Sequence, residues 1–148
     1  MSYQIQYNDF PTFLRKHFPY KVQKISLNAG FTCPNRDGTK GWGGCTYCNN
    51  QTFNPDYCRT EKSIATQLEE GKCFFAHKYP EMKYLAYFQA YTNTYAELEG
   101  LKRKYEEALQ VDGVVGGDRY ASGLYAGRTA PVSGRTEPSY ISDGGIWY

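Results

Sequence analysis

The stretch NAGFTCPNRDGTKGWGGCTYCNN, residues 28–50, is the segment around which the rest of the chain can be interpreted. It holds three of the five cysteines, Cys33, Cys45 and Cys48, among five glycines. Glycine, Asn and Asp adopt turn conformations that other residues resist, so the stretch is predicted to be a folded loop. Three thiols gathered in so short a loop indicate a site for a metal ion or a metal cluster.

The segments on both sides of this loop predict an α/β fold. Some are dense in β-forming residues or alternate in polarity, and others have apolar residues at helical spacing. The predicted strands are residues 24–29, residues 83–91 and a third that begins at residue 113, and the predicted helices are residues 8–18, 63–78 and 97–110. Strands and helices that alternate in this way are typical of a parallel sheet.

The helical segments also predict which side chains are buried. Asn8 or Asp9 and Ser63 stand where helix N-caps belong. The apolar side chains expected to face the core are Phe10, Phe13, Leu14, Phe18, Ile64, Leu68, Phe74, Phe75, Leu98, Leu101, Tyr105, Ala108 and Leu109. Cys73 is expected to be a small core residue, and His17 and His77 are expected on the surface.

Composition limits the class of protein. The chain has 148 residues, enough for one domain, and its net charge of +2 does not indicate a polyanionic partner. It has no apolar run of 18 residues and no basic-then-apolar N-terminal signal, so neither a membrane span nor secretion is expected. Five cysteines are an odd number and cluster in one loop, unlike a secreted disulfide framework. A cytoplasmic location is therefore expected.

The alternation of strands and helices stops near Gly117. Residues 117–148 are rich in glycine, contain two prolines and show neither a helical stripe nor clean alternation. By themselves they are typical of a disordered tail. The sequence thus divides into residues 1–116, which carry the α/β pattern, and residues 117–148, which do not.

The cysteine spacing resembles that of the radical S-adenosylmethionine (radical SAM) superfamily. Cys45-Thr46-Tyr47-Cys48 is similar to the second half of that signature, although eleven residues rather than three separate Cys33 from Cys45. SLNAGFTCPNRDGTKGWGGCTYCNN, followed by YLAYFQAYTNTYA, resembles a subfamily with this long spacing, akin to Elongator-type and coproporphyrinogen-oxidase-like domains. The resemblance extends over residues 7–116 and implies the N-terminal part of a partial (β/α) TIM-like barrel, truncated after about the third strand.

The resemblance also implies cofactors and a reaction. Cys33, Cys45 and Cys48 would bind three irons of a [4Fe-4S] cluster, and SAM would chelate the fourth. Gln89, Thr92, Asn93 and the backbone of Tyr47 would contact SAM. In intact relatives an external donor such as flavodoxin or ferredoxin supplies the electron that cleaves SAM to methionine and a 5′-deoxyadenosyl radical. The kinship to tRNA-modifying radical enzymes suggests a tRNA wobble uridine as substrate.

Zinc is the alternative occupant of this loop. Nine residues separate Cys58 from Cys48, and Cys58 could complete the tetrahedral set of four thiolates that structural zinc prefers. On the spacing alone, a zinc site and an iron–sulfur cluster are equally consistent with these residues. The resemblance and the aromatic residue at Tyr47 favour the cluster, with Cys58 as a neighbour rather than a ligand.

The glycine-rich tail suggests a change of reading frame. Codons can be written for residues from Gly117 onward that, read one base later, encode AIGTRPDC followed by an amphipathic helix and an apolar strand. That alternative resembles the continuation in the family. A frameshift near codon 117, in the gene or in its sequencing, is therefore our hypothesis for the tail, and the truncated product is expected to be inactive.

Overall fold

The computed structural model describes residues 9–49, 54–77 and 79–119, and in these ranges helices and strands alternate. The elements are α1 (Phe10–His17), β1 (Val22–Leu27), α2 (Ile64–Ala76), β2 (Lys83–Phe88), α3 (Leu98–Gln110) and β3 (Val114–Arg119). All six predicted elements are present, and their bounds differ from the prediction by a few residues. The predicted α/β class is confirmed.

The three strands form one parallel sheet with β2 in the centre. Between β1 and β2, Ile25 pairs with Ala86 and Leu27 with Phe88. The β2–β3 register shifts between Tyr84 and Leu85, so that β3 contains one additional residue there. A parallel sheet requires crossover connections, and α2 and α3 supply them within the described part of the chain.

The sheet is covered on both faces by apolar side chains. Successive strand residues point to opposite faces. Ile25, Leu27, Ala86 and Phe88 belong to the core that α2 and α3 complete. Leu85 points the other way and packs with Leu14 of α1 and with Phe18, the residue that follows α1. Helices on both faces are the usual arrangement for a parallel sheet.

Two helices begin at residues that the sequence indicated. Asp9 caps α1, where its carboxylate accepts a hydrogen bond from Thr12 N at 2.7 Å. Ser63 caps α2, where its hydroxyl accepts from Thr66 N at 3.1 Å. Such caps satisfy backbone donors that have no partner within the helix. The other predicted cap, Asn8, lies outside the described residues.

Several predicted core positions are wrong. Phe74 and Leu98 are 66% and 43% exposed, and Cys73 is exposed as well. The buried face of α2 instead contains Ile64, Gln67, Leu68 and Gly71, and the next position on that face is Phe75 rather than Phe74. Apolar spacing does not say how far neighbouring elements extend along a helix. His17 and His77 are exposed, as predicted.

The boundary expected after residue 116 falls inside β3, which continues to Arg119. The remainder of the predicted tail, residues 120–148, lies outside the described residues. In the ranges that the structure describes, no helix has the length and apolar character needed to cross a membrane.

Candidate metal and cofactor site

Two segments meet at the edge of the sheet where the strands end. The cysteine loop, residues 28–49, follows β1, and the polar segment, residues 89–95, follows β2. Because β1 and β2 are parallel, both segments leave the sheet at its carboxyl edge, where α/β proteins place their sites. One backbone hydrogen bond joins them, from Thr92 N to Thr32 O at 3.3 Å, and Gln89 N donates to Leu27 O, the last residue of β1, at the same distance.

The eleven residues between Cys33 and Cys45 form a compact turn structure, which we call the spacer (residues 34–44). Pro34 O accepts hydrogen bonds from Lys40 N at 2.8 Å and from Gly41 N at 3.2 Å. Asp37 and Trp42 form an isolated antiparallel bridge. Gly38 has a φ of +91°, and a Cβ there would overlap the Trp42 ring. The spacer is therefore internally bonded and depends on glycine at position 38.

Residues of the spacer bond to each of the two cysteines that flank it. Cys33 O accepts from Arg36 N at 2.9 Å, and Asn35 Nδ2 donates to Cys45 Sγ at 3.5 Å. Cys48 N donates to Cys45 O at 3.0 Å, so the last two cysteines lie in one turn. All three thiols are half-buried. Over the described ranges, however, no three Cys, His, Asp or Glu side chains are arranged to hold a metal ion.

The other two cysteines have different environments. Cys58 is only 3% exposed and belongs to the core, where burial raises the pKa of its thiol to about 11. A buried thiol resists ionisation because the thiolate loses hydration. Cys73 is exposed on α2. Neither residue lies in the cysteine loop.

The predicted SAM contacts differ in their accessibility. Tyr47 is 87% exposed on the cysteine loop. Gln89 is half-buried, and its Oε1 accepts a hydrogen bond from Ser26 Oγ of β1 at 3.1 Å. Both residues lie at the carboxyl edge of the sheet, and both can be reached from solvent.

Three further polar residues of this segment, Thr92, Asn93 and Thr94, are buried. Thr92 and Asn93 are 4% and 0% exposed. Asn93 Nδ2 donates to Phe88 O at 2.7 Å, and Asn93 O accepts from the Tyr105 hydroxyl of α3 at 2.5 Å. These bonds give Asn93 a structural role. Thr94 Oγ1 is buried and has no hydrogen-bond partner among the described residues, which is unusual because buried polar atoms are nearly always hydrogen-bonded.

Sequence reasoning did not single out Gln67, which organises the beginning of the cysteine loop. Its side chain is fully buried on α2 and bonds both the N–H and the carbonyl of Asn28. Its role could have been inferred from its position, because it is a polar residue between Ile64 and Leu68 on the apolar stripe of the helix. Buried amides are almost always hydrogen-bonded, so such a position predicts a structural contact.

An open cavity of about 260 Å³ lies beside the start of the loop. Its lining includes Asn28, Lys62, Lys104 and Glu107. Glu107 Oε1 accepts a hydrogen bond from Ala65 N in the first turn of α2 at 2.9 Å. Lys104 Nζ donates to the Ala29 carbonyl at 2.8 Å. These two charged groups therefore already bond the backbone beside the cavity.

Comparison with known proteins identifies relatives over most of the chain. Uncharacterized protein YtqA of Bacillus subtilis is 42% identical over 111 residues, which are 75% of this chain and 34% of YtqA. Protein YhcC of Escherichia coli K12 is 42% identical over 116 residues, which are 78% of this chain and 36% of YhcC. Uncharacterized protein MJ0486 of Methanocaldococcus jannaschii is 30% identical over 110 residues, or 70% of this chain and 31% of MJ0486.

The chain matches about a third of the length of these curated relatives. The longer of these matches covers 116 of the 148 residues, which leaves 32 residues outside it. No protein-family model matches the chain. No solved structure matches it either.

Proposed function

We propose that this chain is the N-terminal part of a radical SAM protein and that its three strands begin a partial (β/α) TIM-like barrel. In this proposal Cys33, Cys45 and Cys48 hold three irons of a [4Fe-4S] cluster, and SAM binds the fourth. The observation that carries the proposal is the placement of the three-cysteine loop at the carboxyl edge of β1, bonded to the polar segment after β2.

The donor set suits such a cluster chemically. Thiolates are the soft ligands that iron–sulfur clusters require, and three of them leave one iron open to a small molecule. The three thiols are half-buried on a loop, where they remain accessible for ligation. They are not grouped around a common centre in the described structure, so cluster binding would require the thiols to move toward one.

The chain's own residues would bind and orient the cofactors. When bound, the cluster would supply the electron for reductive cleavage of SAM, after receiving it from flavodoxin or ferredoxin. Gln89 and the Tyr47 backbone are the accessible groups for holding SAM, while Thr92 and Asn93 are buried and would shape the segment beneath it. The polar side chains here offer amide and hydroxyl groups suited to an amino acid cofactor.

The zinc alternative is weakened by the position of Cys58. A closed tetrahedral site would need this thiol as its fourth thiolate. Cys58 lies in the apolar core, and burial raises its pKa, which opposes ionisation to the thiolate. This environment favours the set of three cysteines over the set of four.

We also propose a substrate and an expectation for turnover. Kinship with tRNA-modifying radical enzymes makes a tRNA wobble uridine the substrate to test first. The chain spans about a third of its matched relatives, so later strands that would complete the barrel and hold substrate are not within the matched region. We propose that this chain by itself is a truncated copy, too short to turn over substrate.

Anaerobic reconstitution with iron and sulfide tests the proposal. Absorbance near 400 nm and bound iron should develop in the chain as given, and should be lost in Cys33→Ser, Cys45→Ser and Cys48→Ser. Cys58→Ser and Cys73→Ser are matched controls and should retain the cluster. Uptake of one zinc per chain, with no iron and with loss on Cys58→Ser, would contradict the cluster and support the zinc alternative.

A further inference from the structure

The spacer of the cysteine loop is fastened to the polar segment by side chains. The Thr39 hydroxyl lies 2.9 Å from the Tyr95 hydroxyl, and the two residues are separated by 56 positions in the chain. The Arg36 guanidinium stacks over the Tyr91 ring at 4.5 Å. Together with the backbone bond between Thr92 and Thr32, these contacts hold the loop at three points along its length.

The polar segment adopts a costly conformation where it meets the loop. Tyr91 has a φ of +63°, which is unusual for a residue with a side chain. Such a conformation persists only where surrounding contacts impose it, and it is found often at functional sites. The Arg36 stacking contact lies on this same residue. Contacts from the cysteine loop, as well as the local backbone, therefore hold the polar segment in this conformation.

The Thr39–Tyr95 contact continues into the spacer. Asp37 Oδ1 accepts a hydrogen bond from Thr39 N at 3.0 Å. Hydrogen bonds from the backbone and the hydroxyl of Thr39, and from the Tyr95 hydroxyl, lower the pKa of the Asp37 carboxyl. Asp37 also forms the bridge with Trp42 that closes the spacer. Tyr95 is thereby linked to the element that joins Cys33 to Cys45.

We propose that Tyr95 is a positioning residue for the cysteine loop, acting through its bond to Thr39, and this rests on the proposed metal-binding function of the loop. The spacer connects Cys33 to Cys45, and the Tyr95 hydroxyl fixes the spacer to the polar segment. Its effect is to limit the excursions of the loop, so that the cysteines at its ends remain close to the polar segment.

The test measures the alkylation rate of each cysteine in the metal-free, reduced full chain, with iodoacetamide and peptide mass spectrometry. Tyr95→Phe keeps the ring and removes the hydroxyl. The lost hydrogen bond should raise the rates at Cys45 and Cys48 by about two- to tenfold, because local opening of the loop becomes easier. Thr39→Val should do the same, and the double variant should add little to either single change.

The chain supplies its own controls. Cys73 is already exposed, so its rate should not change, and the buried Cys58 reports unfolding. Tyr20→Phe removes a hydroxyl from an exposed ring that lies before β1, outside both the loop and the polar segment, and should leave all five rates unchanged. If Cys58 also becomes reactive in Tyr95→Phe, that variant has unfolded. The proposal is then tested with Thr39→Val, which removes the same hydrogen bond from an exposed residue. Unchanged Cys45 and Cys48 rates in a folded variant would overturn the proposal.

A second readout separates this proposal from the proposed function. After anaerobic reconstitution, iron should pass to a chelator faster from Tyr95→Phe than from the unsubstituted chain, while Tyr20→Phe should match the latter. Faster alkylation without any iron uptake would mean that Tyr95 fixes the loop but that the cluster assignment is wrong. If both proteins take up iron but do not differ in iron release or in alkylation, the cluster assignment would stand and the proposed role of Tyr95 would be wrong.

Discussion

Gln67 and Asn28 exchange two hydrogen bonds between α2 and the end of β1. Asn28 N donates to Gln67 Oε1 at 2.9 Å, and Gln67 Nε2 donates to Asn28 O at 3.0 Å. The same nitrogen contacts the carbonyls of Arg59 and Lys62 at 2.9 and 3.1 Å. One buried amide thus joins three backbone segments at the place where the cysteine loop begins.

Replacing Gln67 with Leu should destabilise the protein by about 2–4 kcal/mol, since buried backbone groups would lose their partners. The volume is nearly preserved, so the effect would come from hydrogen bonding rather than from a cavity. Urea unfolding followed by circular dichroism measures it. Gln110→Leu, at an exposed position of α3, is the control and should change stability little. Equal effects of the two substitutions would refute a special role for Gln67.

The two glycines within helices should respond in opposite ways to alanine. A Cβ at Gly71 would lie 2.5 Å from Ile25 Cγ2, so Gly71→Ala should cost about 1–3 kcal/mol through overpacking between α2 and β1. A Cβ at Gly100 meets nothing within 4 Å, and Gly100→Ala should stabilise α3 by up to about 1 kcal/mol. Thermal unfolding of both variants tests this. A stabilising Gly71→Ala would show that the helix and strand pack less closely than described.

The helices and strands were predictable because apolar periodicity is a local property. Side chains such as Leu101, Tyr105 and Ala108 recur at helical spacing, and all three are buried. The predictions of burial were wrong where burial depends on which neighbouring element packs against the helix, because periodicity does not identify that element. Phe74 and Leu98 fit a helical stripe but are exposed, since only the packed structure determines which part of each stripe is covered.

The meeting of the two segments that form the candidate site was predictable, but the contacts between them were not. Parallel strands bring the segments after β1 and β2 to one edge, so Cys33 and Gln89 could be assigned to a common region. The bond between Thr39 and Tyr95 spans 56 positions, and no local pattern indicates it. The roles of Gln67 and Asn93 were likewise hidden, because a hydrogen-bonded core amide has no periodic signature.

Stability should fall in alkali because two neighbouring core groups resist ionisation. Burial is the main cause that raises the pKa of Cys58 from 9.0 to about 11 and that of Tyr57 from 10.0 to about 12. Above pH 9 the unfolded thiol ionises while the folded one stays neutral, which favours unfolding. The stabilisation from Cys58 is therefore complete below pH 9 and lost as pH rises through 11.

Urea unfolding at pH 8 and pH 10.5 would measure this loss, which should be of the order of 1–2 kcal/mol for Cys58. Cys58→Ala removes the titrating group and should show a smaller decrease between the two pH values, whatever its own stability. Cys73→Ser is the matched control and should keep the full decrease, because Cys73 is exposed. Equal decreases in all three proteins would mean that the Cys58 thiol does not couple to folding.

The frameshift hypothesis predicts the nucleotide sequence of the locus. If the hypothesis holds, the codons from 117 onward, read one base later, will encode a helical segment followed by an apolar strand. A chain carrying that continuation should unfold at higher urea than the chain as given, because added βα structure can cover the edge of the sheet at β3. A downstream frame that encodes neither element would refute the hypothesis, and a shuffled version of the same continuation controls for added length.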